Sequence, residues 1–576
     1  MSLLSVHFGH DSTFCYSPED GVYANYEIER LEKKKHFGLQ DEAKSKEHIE
    51  SIVRTVVENI KKDFGNDPNL FKLDKFLFDT ILPAWVWWKT PEEDPTLKNH
   101  VWYEFEEVIQ KYFEIDKSNF SLMDHHQCHA YGGFYQSPFQ EALVFTMDGM
   151  GTGLDNTLTY FTASIIDRVH HKYHELARSR EQVDYFDLAG KWYRELMHFC
   201  EIYKNTLHID VCGKGMGAAG YGRPNFSFIK DFSEVYNKPE HTFFGRFNGT
   251  YGSHGESFRT WSSPVCKVIQ KHFGDNINKF DNRPSINDFQ TQADFLASLQ
   301  IMFEREFDSI IEPFVLKYNL PIVISGGAAL NVLNNTRIKN KYKLPVFIPC
   351  NPNDSGLAFG HLVSYRKPYE AVDVRFSGFD IFDREELPGY VEERNAKEVD
   401  ITQISKLLRE GKIIGVIKGK SECGPRALGN RSIICDPSYP NMKDDLNAKV
   451  KGREWYRPFA PMVLQEDIKD YFEWDESSAP HMSFATLVKS QWVEKLPAIT
   501  HVDRTARIQT ITKQENSFYY DLLTEMKNTG LPVILNTSFN GPGKPILNSI
   551  KDALDLLDNS KMDYVIVENY LFGKNN

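Results

Sequence analysis

The chain has 576 residues, 41% hydrophobic and 13% aromatic, with a formal net charge of −13. That length exceeds one ordinary domain and supplies ample core, while the acidity argues against a general polyanion-binding surface without excluding a local basic groove. Eight cysteines without a CxxC pair exclude a zinc ribbon and fit thiols in a reducing cytosol, and no run approaches a membrane span or, at "MSLLSVHFGHDST", a secretion signal.

The expected protein is soluble, cytoplasmic and multidomain. In chain order, "LLSVHFGHDST" reads as an apolar strand running into a polar turn. "EIERLEKKKH" ends in a basic run that alone is a solvated charge cluster. "ILPAWVWWKTPEEDP" (81–95) is either an aromatic acceptor-lining segment or core plus a turn. In "MDHHQCHAYGG" (123–133) a helix would set His125 and His129 one turn apart on one face, as two ligands of one ion, with His126 and Cys128 turned elsewhere. "EALVFTMDGMGTG" (141–153) is an apolar strand ending in Asp148 and glycines.

Residues 155–320 hold longer helical and irregular segments, including the Gly-rich turn "CGKGMGAAGYG" (212–222). "LPIVISGGAALN" (320–331) runs from strand through a Gly-Gly turn into a helix, and "LPVFIPCNPNDSGLAFGHLVSY" (344–365) runs strand, Asp-Gly turn, helix. Buried strands ending in Asp and Gly before helices describe an α/β fold, with ligands at the strands' carboxyl ends. Asp148 and Asp354 join His125 and His129 in a two-His, two-carboxylate set that suits Fe(II), Mn(II) or Zn(II). Lys214 and Gly217 of the first glycine turn, with Gly326, Gly327 and Asn331 of the second, are candidates for a nucleotide. Backbone N–H groups there would favour a phosphate, although neither is a Walker loop and tight turns explain them equally well.

Between 366 and 398 the chain turns charged and irregular, which marks a domain boundary. Beyond it Lys418, Lys420, Arg426, Arg431, Lys449, Lys451, Arg453 and Arg457 fall within forty positions, and "RTARIQT" adds Arg504 and Arg507. Arginines held against apolar neighbours, as in "WYRPFAP", usually have an anionic partner, here a carboxylate or a phosphate. "NNTRIKNKYK" (334–343) is a further basic stretch that would suit a backbone phosphate. No internal repeat and no low-complexity tract is visible.

These stretches together resemble the O-carbamoyltransferase family that includes the tobramycin, cephamycin and nodulation-factor carbamoyltransferases. The resemblance runs in order along nearly the whole chain, through "HFGHDST", "EIERLEKKKH", "HHQCHA", "MDGMG", "GKGMGAAGYG", "SGGAALN", "FIPCNPNDSG", "GPRALGNRS", "VKGREWYRPFAP", "RTARIQT" and "LNTSFNGPGKPI". It implies an N-terminal actin-like domain, of the sugar-kinase and heat-shock ATPase superfold, over 1–367. A linker region over 368–398 and a smaller YrdC-like α/β domain over 399–576 follow. The implied reaction has two steps. The C-terminal domain forms carbamoyl-adenylate from carbamoyl phosphate and ATP with Mg2+, and the N-terminal domain passes the carbamoyl group to an acceptor hydroxyl.

By the same resemblance His125, His129, Asp148 and Asp354 are metal ligands, with Fe(II) favoured and Mn(II) or Zn(II) open. His10 matches the general base and Lys35 a lysine that steadies charge at the transferring carbonyl. Arg426, Lys451, Arg457 and Arg507 match phosphate-binding positions. The chain departs from the family at "HHQCHA", where a more apolar "HHLAHA" is usual, and at Thr152, where an acid is common. The acceptor is a natural product, a sugar or a hydroxymethylated pyrimidine in DNA; no membrane partner is expected, and a homodimer is left open. A hydrogenase-maturation carbamoyltransferase would carry CxxC zinc fingers and the YrdC-like part first. A tRNA threonylcarbamoyl enzyme would act on threonine, and an ATP-binding interaction protein would need no acylating partner domain.

Overall fold

The computed structural model describes residues 2–79, 101–154, 158–179, 196–197, 199–203, 206, 208–236, 264–274, 277–278, 283–476 and 478–574. The aromatic segment 81–95 and the Thr152 side chain lie outside the described residues. Among the described residues the fold is mixed α/β with several sheets, and two five-stranded sheets repeat one topology. In the first, β1 (Leu3–His7), β2 (Thr13–Ser17) and β3 (Ala24–Glu27) form an antiparallel meander. Then β4 (Lys75–Asp79) and β5 (Phe120–Met123) add in parallel beyond β1. In the second, β6 (Glu141–Thr152), β7 (Leu158–Asp167) and β8 (Lys172–Arg178) form the meander, and strands Ile322–Ser325 and Val346–Phe347 add in parallel beyond β6. "LLSVH" and "IVIS" are buried at every position, as strands covered on both faces are. Parallel neighbours need crossovers, and helices Lys46–Phe64, Val101–Tyr112, Phe289–Tyr318 and Val332–Tyr342 supply them.

Helix His125–Gln136 follows the first sheet and packs on the second; helix Leu357–Arg366 follows the second sheet and packs on the first. The two helices meet backbone to backbone. A Cβ at Gly360 would lie 1.9 Å from Cys128 O, and one at Gly132 would lie 3.2 Å from Gly356 O. Only glycine permits that approach, and it brings the histidines of one helix beside the turn that opens the other.

An eight-stranded sheet follows, in the order Lys397–Glu398, Tyr570–Phe572, Tyr564–Val567, Ile414–Ile417, Arg431–Cys435, Val533–Ser538, Ala460–Leu464 and Gln509–Ile511. The stretch read as a linker buries Val374, Phe379 and Ile381, so it threads along packed surface. One hydrophobic cluster runs from Leu143 on β6 to Phe572 in the last sheet. No described helix is long and apolar enough to cross a membrane.

Three expectations change. Within the supposed helical and irregular region lie β7 and β8. "GKGMG" is no loop: it belongs to helix His208–Ala219, and of its glycines Gly215 serves close packing, since a Cβ there would lie 2.4 Å from Met197 Sδ. The basic stretch 334–343 is mostly helix, and three of its four cations are paired internally, Arg337 and Lys341 with Asp308 at 2.6 and 3.0 Å and Lys339 with Asp475.

Candidate active site

Asp124 caps helix His125–Gln136 by accepting from Gln127 N at 3.0 Å, and so fixes the turn that carries His125 and His129. One turn apart, the two imidazoles face each other edge to face at 4.9 Å. His126 leaves that face, bonding Thr146 Oγ1 at 2.8 Å and Thr159 O at 2.9 Å. Asp148 lies inside β6, where the register against β7 shifts between Met147 and Gly151. Such a bulge turns a strand side chain out of alternation, here toward the histidines. Its Oδ2 is 3.4 Å from His125 Nε2, and its Oδ1 accepts from Gly327 N at 2.9 Å. Asp354 opens the turn before helix Leu357–Arg366, with Oδ1 3.3 Å from His129 Nε2 and 3.8 Å from His125 Nε2.

The ligand atoms of these four buried residues all lie within 4.8 Å of one another. His129 Nε2 and Asp354 Oδ1 are buried and make no hydrogen bond among the described residues. Burial works against a charged ring, yet Asp354 and Asp148 raise His125 to about 9. The carboxylate pair therefore attracts positive charge strongly at this point. Two imidazole nitrogens and two carboxylates with orphaned atoms fit a divalent ion of the Fe(II), Mn(II) or Zn(II) class.

His10 sits beside this set, with Nε2 3.3 Å from Asp354 Oδ2 and Nδ1 3.1 Å from Asp11 Oδ2. Burial opposes its charge, but Asp354 and Asp11 prevail and raise it to about 9. Beneath it His7 spans Asp79 Oδ2 at 2.6 Å and the His10 carbonyl at 3.0 Å. Asp11, held at φ 64°, also contacts His36 Nδ1 at 2.7 Å. Asp210 lies 3.4 Å from His36 Nε2 and pairs with Lys35. Lys35 is thus near the site but engaged. Asp11, His36, Asp210 and His7 were not among the sequence candidates; "GHDS" and "KKKH" carry the first two in plain view.

A cavity of about 730 Å³ begins at His10, Asp148 and Asp354 and continues to Arg426, Arg453, Arg457 and Arg507. Among the described residues no carboxylate forms an ion pair with Arg426, Arg453 or Arg507, and Arg457 has only Glu454 at 3.5 Å. Burial and the charge of Arg457 push Arg426 down to about 10; burial and neighbouring arginines hold Arg453 and Arg507 well below the guanidinium range. Partly buried cations this poorly neutralised would suit an anion.

Other candidates turn out to be occupied. Lys451 lines the cavity, but its ammonium bonds Ser538 O at 2.7 Å, Asn540 O at 3.0 Å and both side chains, so it organises the 538–540 loop. Lys214 pairs with Glu454 at 2.9 Å. Gly217 is helical, and its carbonyl accepts from His501 Nε2 at 2.9 Å. The N–H of Gly326 goes to Pro352 O at 2.7 Å and that of Gly327 to Asp148, so this turn aims a carboxylate and offers those two donors to no phosphate. The Asn331 amide caps the following helix and exchanges bonds of 3.0 and 3.1 Å with Gln300.

Two family models match the chain: Carbamoyltransferase N-terminus over residues 92–363 and Carbamoyltransferase C-terminus over 405–574. Nodulation protein NolNO of Sinorhizobium fredii is 30% identical over 486 residues, 80% of this chain and 65% of that protein. Nodulation protein NolO of Bradyrhizobium diazoefficiens is 29% identical over 472 residues, 78% of this chain and 79% of its own. An uncharacterised Synechocystis protein is 30% identical over 78% of this chain and 76% of its own length. The solved full-length HypF in its phosphate- and nucleotide-bound form covers 64% of this chain and 55% of its own at 15% identity and a TM-score of 0.31, too low to transfer a fold. With both family models matched in order and relatives aligned over most of its length, the chain belongs to the carbamoyltransferase family.

Proposed function

We propose that this protein is an ATP-dependent O-carbamoyltransferase that makes and spends carbamoyl-adenylate in one cavity. The observation that carries this reading is the continuity of that cavity between the His/Asp cluster and the arginine cluster. An arginine-rich end suits ATP with Mg2+ and carbamoyl phosphate. Carbamoyl-adenylate keeps one phosphorus, from ATP, so the donor's phosphate leaves alongside pyrophosphate and one water is consumed. At the other end an acceptor hydroxyl attacks the carbamoyl carbon, the C–O bond to the adenylate breaks, and AMP leaves.

A divalent ion held by His125, His129, Asp148 and Asp354, with iron favoured by the family likeness, would supply Lewis-acid polarisation there. His10 takes the hydroxyl proton. With Nδ1–H given to Asp11, Nε2, which lies 3.3 Å from Asp354 Oδ2, is the basic nitrogen. That role needs neutral His10, so the charge of Asp354 must be shared with a cation other than the ring. Lys35 steadies the carbonyl only by exchanging Asp210 for it. The repeated sheet topology supports an actin-like N-terminal domain ending near residue 367, and the mixed sheet after it a YrdC-like domain from about 399.

The acceptor we propose is a hydroxyl-bearing small molecule. Incubating the enzyme with ATP, carbamoyl phosphate and hydroxyl compounds, hydroxymethylcytosine DNA included, tests both points by mass spectrometry. A product heavier by one carbamoyl group, formed with AMP and only when both donors are present, is the expected result. Carbamoylation without ATP would refute the adenylate route, and modification of the DNA alone would refute the acceptor class.

A further inference from the structure

Arg426 stands on the turn Glu422–Arg431, and that turn is pinned from both sides. Its later half is held from within the last sheet: Asn536 donates to Ala427 O at 3.1 Å and Gln509 to Leu428 O at 2.8 Å. Glu422 Oε1 accepts from Leu428 N, Gly429 N and Arg431 N at 2.8, 2.9 and 3.1 Å. The half before Arg426 is held from nearly 400 residues away. Glu27, the last residue of β3, accepts from Gly424 N. Arg30, on the short helix α1 (Ile28–Glu32), donates to Gly424 O at 3.1 Å and Glu422 O at 3.2 Å. Arg30 also grips Glu27 Oε2 through Nε at 3.0 Å and Nη2 at 2.8 Å.

All three charged side chains of this knot are buried: Glu27 is 5%, Arg30 2% and Glu422 1% exposed. Gly424 sits at φ 90°, where a Cβ would lie 2.3 Å from Cys350 O, so only glycine fits this point of the turn. Glu27, Gly424 and Arg426 all border the same cavity. A buried ion pair gains little stability against apolar replacements of like volume, so its geometry is the better guide to what it does.

We infer that Glu27 and Arg30 are positioning residues for Arg426, so that the first sheet completes the anion-binding end of a site whose arginines come from the C-terminal half. The inference rests on the reading of that end as an anion site. It gives the two ends of the cavity a common brace: the segment Glu27–His36 begins at the Arg426 turn and ends at Lys35 and His36 beside His10's partner Asp11.

The test uses the full chain with inorganic pyrophosphate as probe, binding followed by titration calorimetry. The variants are Glu27→Gln/Arg30→Met, which removes both charges together and leaves no lone buried ion, Arg426→Ala, and all three changes combined. Losing charged hydrogen bonds to the turn should weaken pyrophosphate binding about tenfold in the double variant. Because the pair acts through Arg426, the triple variant should bind within about twofold of Arg426→Ala alone, whereas a general structural effect would add to it. Bound metal, measured by mass spectrometry, should stay at wild-type content in the double variant. If that variant shows no cooperative unfolding, Glu27→Gln alone is judged by the same comparison with a loss of about threefold, since it keeps an acceptor for Gly424 N. Wild-type affinity in the pair variant alongside weakened Arg426→Ala overturns the inference alone, as does full additivity in the triple. Unchanged binding in Arg426→Ala overturns the anion-site reading and this inference with it.

Discussion

Gly360→Ala probes how the His/Asp cluster is held without touching any member of it. The new Cβ would sit 1.9 Å from Cys128 O and 2.7 Å from Cys128 C, backbone atoms that cannot rotate away. Ordinary contact begins near 3.4 Å, so helix His125–Gln136 and helix Leu357–Arg366 must part by about 1.5 Å. The cluster has no slack for this, because the constellation tolerates only about 0.5 Å of displacement. His125 and His129 would leave with one helix and Asp354 with the other. We expect metal affinity to fall about 10–100-fold, the range seen when ligand support is lost. Overpacking should also cost about 1–3 kcal/mol of stability. Metal content after dialysis against a weak chelator, read beside thermal unfolding, checks both. Gly389→Ala, where a Cβ meets nothing within 4 Å, is the control and should change neither. A folded Gly360→Ala protein with full metal occupancy would refute the idea that this contact sets the cluster.

Direct removal of a ligand in His129→Ala should strip the metal, while Arg426→Ala should leave it in place; elemental analysis of both proteins decides. His10→Ala should slow carbamoyl transfer by about 10²–10⁴ and abolish the acidic limb of its pH–rate profile, with adenylate still forming. Transfer within a few-fold of wild type would leave the base elsewhere. For His36, burial opposes the charge, but Asp11 and Asp210 raise the ring to about 10. A raised histidine contributes stability that is complete below its unfolded value of about 6.5 and is lost as pH rises through 10. Urea midpoints should therefore fall across that window, and Asp11→Asn should flatten the fall.

The parts of this arrangement that were legible in sequence are those made by local rules. His125 and His129 declare themselves by helical spacing after a capping Asp124, and Asp354 by its place at the mouth of a helix. Asp148 was found for an incomplete reason, since β6 runs past it and a bulge, invisible in sequence, turns it inward. Glycine was the main source of error. Gly215 and Gly217 lie in a helix, where Gly215 makes room for Met197, and the Gly326–Gly327 turn spends its N–H groups on Pro352 and Asp148. The charge pattern picked out arginines that line one end of the cavity but not each residue's share. Lys451 is consumed by Ser538 and Asn540, some 87 residues on, and Arg453, which also borders the cavity, gives Nε to Asn447 Oδ1 at 2.7 Å and Nη2 to Pro458 O at 3.2 Å. The topological repeat left no trace because it resides in hydrogen-bond order, and the chain writes its two copies in different residues.

On the proposed reading, two half-reactions share one cavity but use its two ends. Carbamoyl-phosphate-driven exchange of labelled pyrophosphate into ATP isolates the first half. Exchange should occur in wild type only when carbamoyl phosphate is present, be lost in Arg426→Ala, and survive in His125→Ala with transfer abolished. Equal loss of exchange in both variants, or exchange that ignores carbamoyl phosphate, would contradict that reading.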